Sequence, residues 1–264
     1  PQIGYGVFQP PPEETEHAVR EALEVGYRHI DTAQAYMNEA EVGQGVKQSG
    51  VPREEIFITS KVWVENYSYE AAKASLDRSL SRLDCGHIDL MLLHQPFNDI
   101  YGAWRALEEY QAVGKIRAIG VSNFTADRVI DLGIFNKVMP AADQIEINPF
   151  HQQAAQVDTL RAEGIVPEAW GPFAEGKFGI FENPVLAAIA KKHGKSIAQV
   201  ITRWLIERGI VVLAKSTKPA RMAENLAAFD FALDDDDKAQ IATLDVGKSQ
   251  IINHTDPAMV RQFK

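Results

Sequence analysis

The segment from Ile56 to His94 reads IFITSKVWVENYSYEAAKASLDRSLSRLDCGHIDLMLLH and contains two short apolar runs separated by a longer stretch. The runs Ile56–Lys61 and Ile88–His94 are rich in β-branched and aliphatic residues, which is typical of buried strands. Between them, Tyr69–Leu83 carries apolar residues at spacings of three and four, which predicts an amphipathic helix. The segment therefore predicts a strand, a helix and a second strand parallel to the first.

The same alternation runs along the whole chain. Eight runs resemble buried strands, and they are Ile3–Phe8, Tyr27–Asp31, Ile56–Lys61, Ile88–His94, Ile116–Ser122, Asp143–Asn148, Ile165–Trp170 and Ile210–Ala214. Further helical stretches are Glu13–Val25, Pro184–His193, Ser196–Glu207, Pro219–Phe229 and Asp235–Leu244. Eight such units with short connections predict a closed (β/α)8 TIM barrel of the α/β class, because closure leaves no sheet edge. No linker divides residues 1–264, so we expect a single domain.

The composition excludes several kinds of partner. A formal net charge of −9 argues against nucleic acid and against anionic membranes, because both would repel the protein overall. Cys85 is the single cysteine, which excludes an intrachain disulfide and any metal site of several cysteines, and it favours a reducing compartment. No apolar run approaches the roughly 18 residues of a membrane span. We therefore expect a cytoplasmic protein whose partner is a small molecule.

Four polar residues lie at or just past the ends of three successive strands. Asp31 ends the second run and Tyr36 follows it, Lys61 ends the third and His94 ends the fourth. In a barrel of parallel strands these ends converge on one face, where the active sites of such barrels lie. The four side chains are therefore predicted to meet.

The chemistry of these residues suits the reduction of a carbonyl group. Hydride addition places negative charge on the carbonyl oxygen, and Tyr36 is the candidate that donates a proton to it. A free tyrosine has a pKa of about 10, and a neighbouring Lys61 ammonium would lower it. Asp31 would keep Lys61 charged, and His94 would orient the carbonyl. We interpret the four residues as a proton-donor system.

Several motifs in the same order resemble those of the aldo-keto reductase family. They are HIDTAxxY at residues 29–36, TSKVW at 59–63, LLHxP at 92–96 and GVSNF at 120–124, followed by AKS at 214–216 and EN at 224–225. The resemblance covers nearly the whole chain, and AWGP at 169–172 is similar to a bacterial subgroup of 2,5-diketogluconate reductases. It implies a catalytic tetrad of Asp31, Tyr36, Lys61 and His94, with Tyr36 as general acid. It also implies a monomer that binds NADPH across the barrel mouth without a Rossmann domain.

The resemblance assigns the cofactor contacts residue by residue. The nicotinamide carboxamide is expected to contact Ser122, Asn123 and Gln144, its ring to stack on Trp170, the 2′-phosphate to contact Lys215, Ser216 and Arg221, and the adenine to contact Glu224 and Asn225. The residues alone favour the same phosphate site, because Lys215, Lys218 and Arg221 form a cationic cluster in an acidic protein.

The expected substrate pocket has walls of Phe8, Trp63, Gln95 and Glu175. Gln95 stands where many family members have tryptophan, so the pocket should be more open and polar beside the carbonyl. The substrates implied are sugar-derived or α-dicarbonyl compounds, such as 2,5-diketogluconate or methylglyoxal. The chain begins just before the first strand and is expected to lack the short N-terminal hairpin of its relatives.

Two other functions compete with this interpretation. His29 and Asp31 alternate to the same side of a strand, so a metal-dependent barrel hydrolase could use both. Such a site would need further histidines at other strand ends, and His94 is the one candidate, so we predict no metal. The second alternative is a barrel that binds NADPH in a regulatory role without turnover.

Overall fold

Eight parallel strands close into a barrel in the computed structural model, which describes residues 1–8, 10–216 and 218–263. Each strand pairs with the next in sequence, and the last pairs with the first. The strands are β1 (Ile3–Gly6), β2 (His29–Asp31), β3 (Phe57–Val62), β4 (Ile88–Leu93), β5 (Ile116–Ser122), β6 (Ala142–Glu146), β7 (Val166–Trp170) and β8 (Val211–Ala214). The predicted (β/α)8 barrel is confirmed, and the strands differ from the predicted runs mainly by being shorter at their ends.

Helices follow the strands and cover the outside of the barrel. They are α1 (Pro12–Val25), α2 (Glu39–Gln48), α3 (Tyr69–Leu83), α4 (Ile100–Ala112), α5 (Ala126–Ile134), α6 (Ala154–Ala162), α7 (Pro184–His193), α8 (Ile197–Glu207), α9 (Pro219–Leu226), α10 (Asp235–Ala242) and α11 (Pro257–Val260). Short 3₁₀ turns cover Gln34–Tyr36, Arg53–Glu55, Val64–Asn66, Ala174–Gly176, Ile180–Glu182, Ala227–Phe229 and Arg261–Phe263. The stretch predicted as one helix from Pro219 to Phe229 thus divides into α9 and a 3₁₀ turn. No helix of the described residues is both long and apolar enough to cross a bilayer.

The hydrophobic core lies between the barrel and its helices. All residues of β4 are buried, as are Leu76 and Leu83 on the inner face of α3. Trp104 of α4 is fully buried and donates its indole N–H to the Val138 carbonyl, 3.2 Å away. Apolar burial of this kind is the main stabilising term of a domain.

The barrel closes where β1 meets β8. Ile3 pairs with Val212 and Tyr5 with Ala214. Between them, Gly4 faces a filled interior, since a Cβ atom there would lie 2.7 Å from Leu213 Cδ2 and 2.8 Å from His29 Nδ1. The close approach of these side chains explains why glycine occupies this position.

The segment after α10 returns to the open end of the barrel. Phe263 contacts Trp63, with ring centroids 6.0 Å apart, and Phe97, at 5.5 Å. Trp63 and Phe97 follow β3 and β4, so the C-terminal segment covers part of the face on which those strands end.

Candidate active site

A cleft of about 1170 Å³ opens at the C-terminal ends of the strands. Sixteen of the predicted site residues line it, namely Phe8, Asp31, Tyr36, Trp63, His94, Gln95, Ser122, Asn123, Gln144, Trp170, Glu175, Lys215, Ser216, Arg221, Glu224 and Asn225. Lys61 is fully buried behind them. The structure therefore brings together all the residues that the sequence singled out, and their roles stay predictions.

A buried ion pair forms the floor of the cleft. Lys61 Nζ lies 2.6 Å from Asp31 Oδ1 and 2.9 Å from the carbonyl oxygen of Thr32. The pair forms because β2 and β3 are neighbours, with Asp31 opposite Thr59 in the register. Burial alone would lower the pKa of Lys61, but Asp31 and Tyr36 outweigh it and raise that pKa, so the amine stays charged.

Tyr36 lies above this ion pair at the end of a 3₁₀ turn. The turn is anchored by the Gln34 side chain, which accepts from the Trp63 backbone N–H at 3.0 Å and donates to Ser79 Oγ at 3.0 Å. Lys61 Nζ lies 5.1 Å from the centroid of the Tyr36 ring. This geometry presents the phenol to the cleft beside a positive charge.

The pKa of Tyr36 reflects two opposing effects. Burial raises this pKa, and the Lys61 charge opposes the rise without cancelling it. The lowering by Lys61 expected from the sequence is present, but the desolvation of the phenolate outweighs its attraction to the ammonium. Tyr36 therefore holds its proton at neutral pH.

His94 completes the group of titratable residues. Its ring packs edge-on against Trp63 at 5.2 Å and against Tyr36 at 5.8 Å between centroids. Burial, together with the charge of Lys61, holds the pKa of His94 well below its usual value, so the imidazole is neutral. Its backbone carbonyl accepts a hydrogen bond from Asn123 Nδ2 at 3.1 Å.

Polar residues in and just after β5 and in β6 border the partly exposed ring of Trp170. Asn123 adopts a left-handed conformation, with φ of 65°, and its Oδ1 accepts from Trp170 Nε1 at 2.8 Å. Ser122 Oγ donates to the Gln144 backbone carbonyl at 2.8 Å. The Gln144 amide donates in turn to Asp31 Oδ2 at 2.8 Å. These contacts link the Trp170 ring to the ion pair.

Cationic residues from the segment after β8 line one end of the cleft. Lys215, Lys218 and Arg221 all line it, and Tyr5 of β1 donates its hydroxyl to the Ser216 carbonyl at 2.9 Å. Burial lowers the pKa of Lys215, and Glu175 acts in the opposite direction. The cluster predicted from the sequence is therefore assembled in space, where it suits a phosphate group.

Aromatic residues form the wall next to His94. Phe8 packs on Tyr36 at 5.1 Å between centroids, and Trp63 packs on Phe263. The C-terminal residues Ile252, His254 and Phe263 also line the cleft, and the sequence analysis missed them. Their segment has no helical or alternating pattern, so no periodic signal could have placed it. Phe173 and Phe181 were missed too, although Phe173 closely follows the end of β7.

The two polar residues assigned to the substrate have different surroundings. Gln95 is buried, and its backbone N–H and carbonyl are both 2.9 Å from the hydroxyl of Tyr67. Glu175 forms an ion pair with Lys177 at 2.5 Å. Both line the cleft, and their contact with a substrate stays a prediction.

His29, which the sequence suggested for a metal site, is hydrogen-bonded to a neighbouring strand. His29 Nε2 lies 2.9 Å from Thr59 Oγ1, and burial lowers the pKa of His29 to about 3. Within residues 1–8, 10–216 and 218–263, no group of three or more His, Cys, Asp or Glu side chains could hold a metal ion. The described residues therefore give the hydrolase alternative no ligand set.

Comparisons with known proteins agree with this geometry. The model of the Aldo/keto reductase family matches residues 2–246. Glyoxal reductase of Bacillus subtilis (strain 168) is 45% identical over 246 residues, which cover 92% of this chain and 88% of that protein. Methylglyoxal reductase DkgA of Escherichia coli (strain K12) is 42% identical over 251 residues, covering 94% and 90% respectively. A Bombyx mori aldo-keto reductase, solved in complex with NADP, has a TM-score of 0.89 at 33% identity, covering 98% of this chain and 92% of that one.

Proposed function

We propose that this chain, which belongs to the aldo/keto reductase family, reduces small aldehydes and ketones to alcohols with NADPH. The chain is an oxidoreductase by that membership, and the family typically uses NADP(H). One observation carries the proposal for this chain. A protonated Tyr36 and a neutral His94 lie in one cleft over the buried Lys61–Asp31 pair.

The four residues divide the proton chemistry between them. Bound NADPH supplies the hydride. As negative charge develops on the carbonyl oxygen, Tyr36 donates its proton to it, and the Lys61 ammonium stabilises the phenolate that remains. Asp31 keeps Lys61 charged, because a buried amine would otherwise lose its proton. His94, being neutral, donates a hydrogen bond that orients the carbonyl toward Tyr36.

The residues around the cleft suit NADPH. Trp170 offers a ring face on which a nicotinamide stacks, with Ser122, Asn123 and Gln144 as partners of its carboxamide. Lys215, Ser216 and Arg221 would hold the 2′-phosphate, and Glu224 and Asn225 would contact the adenine. The support from this chain is the cationic cluster itself, which a protein with net charge −9 assembles at one end of its cleft.

The walls favour an uncharged α-dicarbonyl over a sugar acid. The wall beside His94 is built from Phe8, Trp63 and Phe263, and the cations that line the cleft follow β8 instead. A carboxylate at this wall would lose its hydration without gaining a cationic partner among the residues that line the cleft there. We therefore propose methylglyoxal as a better substrate than 2,5-diketogluconate, with Phe8, Trp63, Gln95 and Glu175 as contacts. Two relatives bear the names glyoxal reductase and methylglyoxal reductase.

The direct test is carbonyl-dependent oxidation of NADPH by the wild-type protein and by Tyr36→Phe. Methylglyoxal, an aromatic aldehyde and 2,5-diketogluconate form the substrate panel. We expect turnover by the wild type and a loss of about 10²-fold or more in Tyr36→Phe, with unchanged affinity for NADPH. Turnover retained in Tyr36→Phe would refute its role as proton donor. Binding of NADPH by the wild type without turnover of any carbonyl would favour the regulatory alternative.

The remaining expectations belong to the same proposal. We propose that residues 1–264 act as one cytoplasmic barrel that works as a monomer. Light scattering at the concentration of the activity assay tests the last point, and a stable dimer would contradict it.

A further inference from the structure

A second carboxylate lies in the barrel beneath the cleft. Glu168 of β7 is opposite Gln144 of β6 in the strand register, and both side chains are buried. Gln144 Nε2 lies 3.0 Å from Glu168 Oε2 and 2.8 Å from Asp31 Oδ2. One side-chain amide therefore joins a carboxyl group of the neighbouring strand β7 to one of β2 across the barrel.

The two carboxyl groups determine which way the Gln144 amide points. The Asp31 carboxylate pairs with Lys61, and a carboxylate accepts hydrogen bonds only. The amide nitrogen Nε2 carries two hydrogens and can donate one to Asp31 and the other to Glu168. Oε1 has no hydrogen and can donate to neither. Oε1 is left over, and it has no hydrogen-bond partner among residues 1–8, 10–216 and 218–263. Gln144 itself lines the cleft.

We propose that Glu168 is a positioning residue of the cofactor site. It takes the second hydrogen of the Gln144 amide and thereby holds Oε1 toward the cleft, as the acceptor for the N–H group of a nicotinamide carboxamide. The inference rests on the proposed binding of NADPH. It adds a residue that touches no ligand and that acts only through Gln144.

The arrangement holds in either protonation state of Glu168. Burial, together with the charge of Asp31, raises the pKa of Glu168 to about 7 against the opposing effects of Gln144 and Lys61. A protonated carboxyl group still has a carbonyl oxygen that accepts from Nε2. Glutamine at position 168 can accept in the same way, but leucine cannot.

This difference provides a matched pair of variants. Glu168→Leu leaves one N–H of Gln144 buried without an acceptor, which favours rotation of the amide away from its ligand-binding orientation. Glu168→Gln keeps an acceptor in nearly the same shape. We expect the dissociation constant for NADPH to rise about tenfold in Glu168→Leu and to stay within about twofold in Glu168→Gln.

The experiment measures binding without a carbonyl substrate, by quenching of tryptophan fluorescence. Each protein is titrated with NADPH and with adenosine 2′,5′-bisphosphate, which has the phosphate and adenine but no nicotinamide. Glu168→Leu should weaken the binding of NADPH and leave the binding of adenosine 2′,5′-bisphosphate unchanged. Equal loss for both ligands would mean that Glu168 has a general structural role, and would overturn the inference.

Two further measurements keep the outcomes distinct. In a Gln144→Ala background, Glu168→Leu should cause no additional loss of NADPH affinity, because the group it positions is gone. An additional tenfold loss there would also overturn the inference. Failure of the wild-type protein to bind NADPH would instead refute the proposed function, whereas normal binding by Glu168→Leu would refute only the role of Glu168.

Discussion

At the scale of single residues, the position of the proton on Tyr36 depends on packing as well as on its neighbours. As the sequence predicted, Tyr36, Asp31 and His94 meet in one cleft with Lys61 buried behind them, because residues at the ends of neighbouring parallel strands converge. The sequence did not give the net direction of the Tyr36 pKa. That direction depends on how much water the phenolate loses, which is a property of the packed structure.

The cationic cluster gives a prediction about cofactor preference. Arg221→Ala should weaken the binding of NADPH by about 10-fold to 100-fold and leave the binding of NADH nearly unchanged, since only NADPH carries the 2′-phosphate. Arg128→Ala is the control, because Arg128 is paired with Asp131 on α5 outside the cleft. Dissociation constants from fluorescence titration decide the matter. Equal losses for the two dinucleotides would show that Arg221 does not contact that phosphate.

The buried Glu168 gives a prediction about pH. Its pKa is raised from 4.5 to about 7 in the folded protein, so between these values the folded state binds a proton that the unfolded chain has released. The stability that depends on this proton is therefore present below about pH 4.5 and is lost as the pH rises toward about 7. Glu168→Gln removes this dependence.

The two proteins are compared by urea unfolding at about pH 5 and about pH 8. The free energy of unfolding of Glu168→Gln, relative to the wild type, should increase over this range by up to about 3 kcal/mol. His29, whose pKa is lowered to about 3, shifts stability in the opposite direction but is present in both proteins and cancels in the difference. A difference that is flat with pH would contradict the raised pKa of Glu168.

At the scale of elements, β1 is constrained by the side chains that fill the barrel. Gly4→Ala should lower the free energy of unfolding by about 1–3 kcal/mol, because the added methyl group would overlap Leu213 and the His29 ring. Gly6→Ala in the same strand is the matched control, since a Cβ atom there meets nothing within 4 Å. Thermal and urea unfolding of both variants give the comparison. A larger loss in Gly6→Ala would refute the packing argument.

The strands could be predicted more accurately than the segments that connect them. Apolar runs such as Ile88–Leu93 identify buried strands, and their number predicts closure of the barrel. The connection after β7 has no such signal. It contains left-handed residues at Ala174, Glu175 and Phe178, and non-glycine residues in this conformation follow no simple sequence rule.

At the scale of the whole molecule, the site is divided between two parts of the chain. The residues proposed for catalysis and for cofactor binding all lie within residues 2–246, the part that matches the family model. Ile252, His254 and Phe263 come from the segment beyond it and add a wall to the cleft. We therefore expect this segment to affect the choice of carbonyl and to leave the affinity for cofactor unchanged.

Phe263→Ala tests this division. The KM for an aromatic aldehyde should rise about tenfold, because the ring contacts with Trp63 and Phe97 that shape the wall are lost, while KM for methylglyoxal changes less. Phe135→Ala is the control, since Phe135 is 73% exposed and lies outside the cleft. An altered dissociation constant for NADPH in Phe263→Ala would contradict the division.

The C-terminal segment has a consequence for how such a protein diverges. We expect substitutions among residues 252–263 to change the range of accepted carbonyl compounds, since none of the residues proposed to handle the proton lies there. The buried ion pair of Lys61 and Asp31 sets the electrostatic environment of Tyr36 and His94. A substitution at one of these four positions therefore affects the other three. We therefore expect the substrate range of such an enzyme to change faster in evolution than the reaction that it catalyses.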